Sequence, residues 1–260
     1  MAEPVQRLLD VGGDSVWVED SGGENAVVLL LHSGVADSTL YDDIWPGLTS
    51  VARAIRFDYR AYGRSPAATG PWSVVGDALA VLDGLGVEQA HVVGTSMGGG
   101  GALDLAVLHP QRVLSLTLLC PGVNGAQWPD DPATDAEFES VRHDPAGLLD
   151  LMLRLWGAAG DDPRVRELAV RGLRAGLNSR EFETEPEPST YARLGEIAVP
   201  TTMVVGGRDY PGLVAVDREA ARLIPGCRVV ELPDVDHYPS VREPDTTLRL
   251  ILETAELTTA

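Results

Sequence analysis

Short apolar runs alternate along this chain with stretches whose apolar positions recur every three to four residues. Val27 to Leu31 is continuously apolar, the pattern of a strand buried on both faces. Val16 to Glu19 is a shorter strand ending at the turn Ser21-Gly22-Gly23. Ser38 to Leu48 suits a helix with Ser38 as its N-cap. Ala52 to Phe57 reads as a strand and Val74 to Leu85 as a helix. Ala90 to Val93 is again a strand, Gly98 to Leu108 a helix, and Val113 to Cys120 a strand closed by Pro121-Gly122. The alternation resumes further on with a strand at Thr201 to Val205, a helix at Leu213 to Ile224 and a strand at Arg228 to Leu232. A last helix covers about Thr246 to Glu256. This order predicts an α/β fold with a mainly parallel central sheet flanked by helices.

Between these two halves the alternation breaks. Residues 123–190 contain no good strand and are rich in Asp, Glu and Pro. Ala146 to Trp156 puts Leu148, Leu149, Met152, Leu155 and Trp156 on one helical face. Val165 to Leu177 repeats the pattern with Val165, Leu168, Ala169, Gly172, Leu173 and Leu177. Thr184 to Pro188 reads as loop. The expected organisation is a core of residues 1–122 and 191–260, interrupted by a helical insertion at 123–190.

Composition narrows the options. The chain has 260 residues, room for one α/β domain with an insertion. Its formal net charge of −19 opposes binding to nucleic acid or to anionic membranes. Cys120 and Cys227 are the only cysteines. Both fall in apolar runs, so buried free thiols are expected rather than a disulfide or a metal cluster. No segment reads as a secretory signal or approaches a membrane span, so a cytoplasmic location is expected. Oligomeric state is not legible.

The chemistry concentrates at Gly94-Thr95-Ser96-Met97-Gly98, directly after the strand Ala90 to Val93 and before Gly99, Gly100, Gly101 and Ala102. This is G-x-S-x-G in a strand-turn-helix setting. A serine on so tight a turn needs neighbours without bulk, which Gly94 and Gly98 supply. The turn lifts Ser96 Oγ clear of the sheet and aims backbone N–H groups at a developing oxyanion. A Walker loop is excluded, because no Gly-Lys-Ser/Thr follows. A G-x-G-x-x-G dinucleotide loop is excluded because Ser96 occupies its second glycine position. Four successive glycines are costly in a helix, at about 1 kcal/mol each against alanine. Close packing of that helix on the sheet is the expected compensation.

A serine nucleophile needs a base, and the base needs a partner that fixes its tautomer. In an open parallel sheet, ligands gather at the carboxyl ends of the strands. Of the five histidines, His32 and His237 follow strands, whereas His91 begins one and His109 and His143 lie elsewhere. Asp209 follows the strand Thr201 to Val205. The chain order Ser96, Asp209, His237 is that of the α/β-hydrolase arrangement. Asp234 and Asp236 compete as acids but stand very close to His237 in sequence. His32 is expected to anchor its loop rather than to act as a second base. For the oxyanion, Met97 supplies one N–H. The small-residue loop His32 to Ser38 supplies the other, with Gly34 first and Val35 next.

With these residues in view, the chain resembles the α/β-hydrolase fold superfamily, in its single-domain group with a helical cap. The matching stretches are Leu30 to Ser38, Phe57 to Ser65, Gly94 to Gly99, Val204 to Asp209 and Asp236 to Pro239. Two departures stand out. Ser33 follows His32 where the family often has glycine, and Ala61 follows Arg60 where it usually has glycine. Ala61 implies a turn that accepts a Cβ.

The resemblance implies a serine hydrolase that forms an acyl-enzyme on Ser96, with no metal or organic cofactor. The substrate would be a carboxylic ester or lactone of a small, fairly apolar molecule. Residues 123–190 would cover the pocket, with Val35, Trp128, Met152, Trp156 and Tyr238 as candidate lining residues. Resembling enzymes with aspartate at the elbow, the epoxide hydrolases and haloalkane dehalogenases, are excluded by Ser96. Other chemistries on the same triad remain open: a cofactor-free perhydrolase or haloperoxidase, a C–C bond hydrolase, or a lyase-type tailoring enzyme. So does a non-catalytic binding protein on the same fold.

Overall fold

The computed structural model describes residues 4–179 and 182–258, except the side chains of 177–179. In chain order the elements are β1 (Val5–Asp10), β2 (Ser15–Asp20), β3 (Val27–Leu31), α1 (Trp45–Thr49), β4 (Arg53–Phe57), α2 (Val74–Gly84), β5 (Ala90–Thr95), α3 (Met97–Leu108) and β6 (Val113–Leu119). Then follow α4 (Pro132–Val141), α5 (Pro145–Trp156), α6 (Pro163–Ser179), β7 (Thr201–Gly206), α7 (Pro211–Leu223), β8 (Arg228–Leu232), α8 (Pro239–Arg242) and α9 (Pro244–Thr254). One eight-stranded sheet has the order β1-β2-β4-β3-β5-β6-β7-β8. β1 pairs antiparallel with β2, and β2 with β4, while every other pairing is parallel.

This order creates a switch point. The chain runs from β3 outward to β4, then crosses back to β5 on the other side of β3. Ligands of open α/β sheets collect at such a point, outside the strands' carboxyl ends. Here the ends of β3 and β5 carry the loop from His32 and the turn at Ser96. Register keeps them level: Leu31 pairs with Gly94, and Thr95 with Leu119.

α3 is the central helix, buried from Gly98 through Val107. Its glycines answer to direct contacts. A Cβ on Gly98 would lie 2.2 Å from the Leu31 carbonyl oxygen, and one on Gly101 would lie 2.2 Å from Val74 Cγ1. The expected close packing of α3 on the sheet therefore holds, and α3 packs as closely on α2.

Several elements depart from the sequence pattern for physical reasons. β1 escaped notice because only Leu9 of its six residues is buried, so no alternation marks it. The expected helix at Ser38 to Leu48 is a 3-10 turn, Ser38–Tyr41, followed separately by α1. Its cap is Asp37, whose carboxylate accepts the Thr39 N–H at 3.0 Å, and not Ser38. In the insertion, α4 has no buried residue and so no apolar face to read. α5 and α6 stand where the helical spacing put them. Leu151, absent from the expected face of α5, is one of its two buried residues. Leu177 lies outside the residues whose side chains are described.

Ala61 corrects another expectation. Its φ of 67° is left-handed, a region that disfavours any residue with a Cβ. The turn does call for glycine; it holds an alanine because its neighbours fix it. Arg60 is bound to Asp77 at 2.6 Å and to Asp14 at 2.8 Å. The Ala61 N–H donates to the Pro66 carbonyl at 2.7 Å. Cys120 is buried as expected, but Cys227 is only half-buried; both are free. Among the described residues no helix is long and apolar enough to cross a membrane.

Candidate active site

Ser96 sits between β5 and α3 with φ 54° and ψ −118°. Such a conformation persists only where surroundings over-determine it. Here the Ser96 N–H donates to the Leu119 carbonyl at 3.2 Å, and its own carbonyl accepts from Gly100 and Gly122 at 2.9 and 2.8 Å. A Cβ on Gly94 would lie 2.3 Å from the Gly98 carbonyl oxygen. The steric demand for glycine on both sides of Ser96 is thus met by backbone contacts. Met97 opens α3, so its N–H belongs to the first turn, where donors have no helical acceptor.

Asp209 and His237 follow β7 and β8 and meet. His237 Nδ1 donates to Asp209 Oδ2 at 2.7 Å, with both side chains 1% exposed. With Nδ1 as donor, Nε2 is the basic nitrogen of the neutral ring. The other Asp209 oxygen accepts the Tyr210 N–H at 2.7 Å. The competing acids are engaged elsewhere. Asp236 is fully buried and binds Arg242 at 2.8 Å and the Ala159 N–H at 3.0 Å. Asp234 is exposed and pairs with Arg208 at 2.9 Å.

His32 is fully buried. Its Nδ1 donates to the Ser33 carbonyl at 2.8 Å, and its Nε2 accepts the Tyr59 N–H at 3.1 Å. Burial lowers its pKa, keeping it neutral in that bridging role. It holds the loop and does not join the Asp209–His237 pair. His91 bonds Ser115 at 2.9 Å near the start of β5. The Ser33 departure also finds its place. Ser33 Oγ accepts the Val35 N–H at 3.2 Å, which engages Val35, the donor candidate weighed after Gly34. At the loop's far end Asp58 accepts the Ser38 N–H at 2.9 Å and the Arg64 N–H at 2.9 Å, tying it to the segment after β4.

Two buried groups stand beside the pair, Cys120, read in the sequence only as a buried thiol, and Asp217, which the sequence did not single out. Cys120 Sγ, a carboxylate oxygen of Asp209 and a ring nitrogen of His237 lie within 4.8 Å of one another. Burial and the nearby Asp209 charge push the Cys120 thiol well up, so it stays neutral. Asp217, on α7, has a buried oxygen without a hydrogen bond. Burial, with Asp209 nearby, holds its carboxyl well above the usual range. Cys120 did carry a signal: it stands at a strand's carboxyl end, the criterion that found His237.

Two cavities border the oxyanion loop and the elbow, one lined by Gly34 and Val35 and the other by Ser96 and Met97. One, about 210 Å³, is apolar and lies between Gly34-Val35 and the insertion, with Leu148, Leu151, Met152, Leu155, Trp156 and Leu173 on its walls. The other, about 400 Å³, is more polar and holds Ser96 and Met97 with Val74, Asp104, Asn124, Glu183 and Glu185. Val35, Met152 and Trp156 line the apolar cavity, whose walls do not include Ser96. Trp128 is 45% exposed and stacks on Tyr210 in an open groove that shares Phe138, Leu155 and Trp156 with the apolar cavity. Tyr238 departs from expectation: it is 1% exposed and its hydroxyl points to the Val35 carbonyl at 3.5 Å, a core position.

The α/β-hydrolase fold family matches residues 26–161. The chain is 31% identical over 252 residues to the pimeloyl-[acyl-carrier protein] methyl ester esterase of Methylococcus capsulatus, covering 90% of this chain and 96% of that protein. It is 25% identical to 3-oxoadipate enol-lactonase 1 of Acinetobacter baylyi, covering 92% of each. Among solved structures, the enol-lactonase of Burkholderia xenovorans superposes with a TM-score of 0.77 at 22% identity, over 96% of this chain and all of that one. The chain belongs to the α/β-hydrolase fold family. Within it, this protein is a hydrolase.

Proposed function

We propose that the protein hydrolyses a carboxylic ester or lactone through an acyl-enzyme on Ser96. Ser96 Oγ attacks the carbonyl carbon while His237 Nε2 takes its proton. Asp209 orients the ring and stabilises the imidazolium. The N–H groups of Gly34 and Met97 receive the oxyanion. His237 returns the proton to the leaving alcohol, and water attacks the acyl-enzyme by the same route in reverse. The single observation that most supports this is the buried 2.7 Å pairing of His237 with Asp209, beyond the carboxyl ends of the strands as the strained Ser96 is.

The helices at 132–179 act as a cap in this proposal, and the apolar cavity beneath them receives the acyl half. A volume of about 210 Å³ is roughly seven water-sized groups, so an acyl chain of about six to eight carbons fits. Turnover of p-nitrophenyl esters from acetate to dodecanoate tests this, with Ser96→Ala as control. Activity should peak near the hexanoate and octanoate and fall by at least ~10³-fold in the variant. Turnover that survives Ser96→Ala would sink the proposal.

A further inference from the structure

The loop that carries His237 is held from two sides. On the core side, the Asp236 carbonyl accepts the Cys120 thiol at 3.7 Å, and a Cβ on Gly206 would lie 2.5 Å from the same oxygen. On the other side stands the insertion. The His237 N–H donates to the carbonyl of Trp156, the last residue of α5, at 3.1 Å. The Asp236 carboxylate accepts the Ala159 N–H at 3.0 Å and the Tyr238 N–H at 3.2 Å. Arg242, the last residue of α8, closes the arrangement. Its guanidinium reaches Asp236 at 2.8 Å, the Gly160 carbonyl at 2.8 Å and Asp162 at 3.3 Å. One side chain thus ties the residue before His237 to the loop between α5 and α6.

Stability alone is a poor reason for such a pair. The Asp236 side chain is 0% exposed and that of Arg242 14%. Desolvation offsets much of the attraction in a buried ion pair, so apolar residues of similar size often serve stability as well. What a carboxylate and a guanidinium fork do fix is geometry, because they bond well in few arrangements. The chain fixed here includes the backbone of His237. Proton transfer is sensitive to that placement: a shift of about 1 Å can cost on the order of 10²-fold in rate. Resting on the esterase proposal above, we infer that Asp236 and Arg242 are positioning residues that, through the loop 157–162, hold His237 for proton transfer from Ser96. The insertion then supplies part of the mount of the base as well as a cover for the pocket.

The test is the double variant Asp236→Asn with Arg242→Gln, which removes both charges together and strands neither in the interior. Three quantities are read: p-nitrophenyl hexanoate kinetics, the rate of fluorophosphonate labelling at Ser96, and the far-downfield proton resonance of His237 Nδ1–H. In the double variant kcat and the labelling rate should fall at least about tenfold with KM within about twofold, and the resonance should shift or broaden. Arg242→Lys keeps the charge but not the fork, and should lose about threefold in kcat. Arg164→Gln removes a different tie of the insertion, to Asp42 and the Thr39 carbonyl at 2.7 Å each, and should leave all three quantities unchanged. Full kcat with an unmoved resonance in the folded double variant overturns the inference, and so does a rise in KM alone. An equal loss in Arg164→Gln also overturns it, because the ties would then act only by seating the insertion. If the double variant does not fold, Arg242→Lys decides by the same criteria. Absence of ester turnover in the wild type would refute the esterase proposal, and the His237 resonance in the variants would still decide the positioning.

Discussion

The elbow and the insertion close on the same site, but they are held by different forces. Around Ser96 the restraints are steric and backbone to backbone: Gly94 against Gly98, and Gly98 against Leu31 and His32. The insertion is fastened by side chains, Val165 and Leu168 packing into the buried cluster that holds Val35 and Tyr238 and ion pairs closing its edge. Arg164 reaches Asp42 at 2.7 Å, Arg171 reaches Asp37 at 3.1 Å, and Arg242 reaches Asp162 at 3.3 Å. Half-exposed ion pairs of this kind contribute little each, about 0–1 kcal/mol. Steric contacts of a few ångströms tolerate almost no change, whereas ion pairs can be exchanged. The difference teaches that the proposed chemistry is built into the rigid part and access to it into the adjustable part.

The contrast is broken most severely at Gly98. A methyl group there would overlap the Leu31 carbonyl, so Gly98→Ala should cost more than about 3 kcal/mol and leave little folded protein, as read by chemical denaturation. A stable, active Gly98→Ala protein would show that the elbow is not sterically fixed.

Among the described residues, Gly172 brings the insertion against the His32 to Ser38 loop as tightly as the elbow touches the sheet. A Cβ there would lie 2.3 Å from the Val35 carbonyl carbon. Gly172→Ala should cost about 1–3 kcal/mol and lower kcat/KM at least tenfold by shifting the loop or α6. Loss of stability with full activity would separate the loop from the chemistry.

Acid should loosen the insertion's attachment. Burial pushes the Asp37 carboxyl up, but the Thr39 hydrogen bonds and Arg171 outweigh it and hold its pKa below the usual value. A lowered pKa in the folded state means stability that is present above the unfolded carboxylate range and lost as pH falls through the folded value. The Asp37 contribution, no more than about 2 kcal/mol, should fade below roughly pH 4. Melting curves of Asp37→Asn should converge on the wild type there and lie below it at pH 7. A constant gap at all pH values would remove Asp37 from the account.

The smallest effect expected is at Ala61. Relief of the left-handed strain gains about 1–2 kcal/mol, against about 0.4–1 kcal/mol of added unfolded-state entropy. Ala61→Gly should therefore raise stability by up to about 1 kcal/mol, or about 2–4 °C in Tm. A lower Tm would mean that the Arg60 ion pairs suit alanine better than glycine.

What could be read from the sequence follows the same division. The strands buried on both faces, such as Val27 to Leu31, left unbroken apolar runs. The elbow left its glycines, and Asp209 and His237 left their positions after strands. The pairing of Ser33 with Val35 and the left-handed φ of Ala61 were visible only as departures from a pattern, without their consequences. α4 was invisible because it buries nothing, and β1 because it buries almost nothing. The polar cavity was beyond reach for another reason. It brings Asp104 and Asn124 beside Glu183 and Glu185, groups some sixty to eighty positions apart that no spacing rule connects.

The central claim is that Ser96 is an activated nucleophile. Intact-protein mass spectrometry after treatment with a fluorophosphonate, followed by peptide mapping, tests it directly. The account predicts one stoichiometric adduct, located on Ser96, absent from Ser96→Ala and strongly slowed in His237→Ala. No adduct, or an adduct that persists in Ser96→Ala, would contradict it.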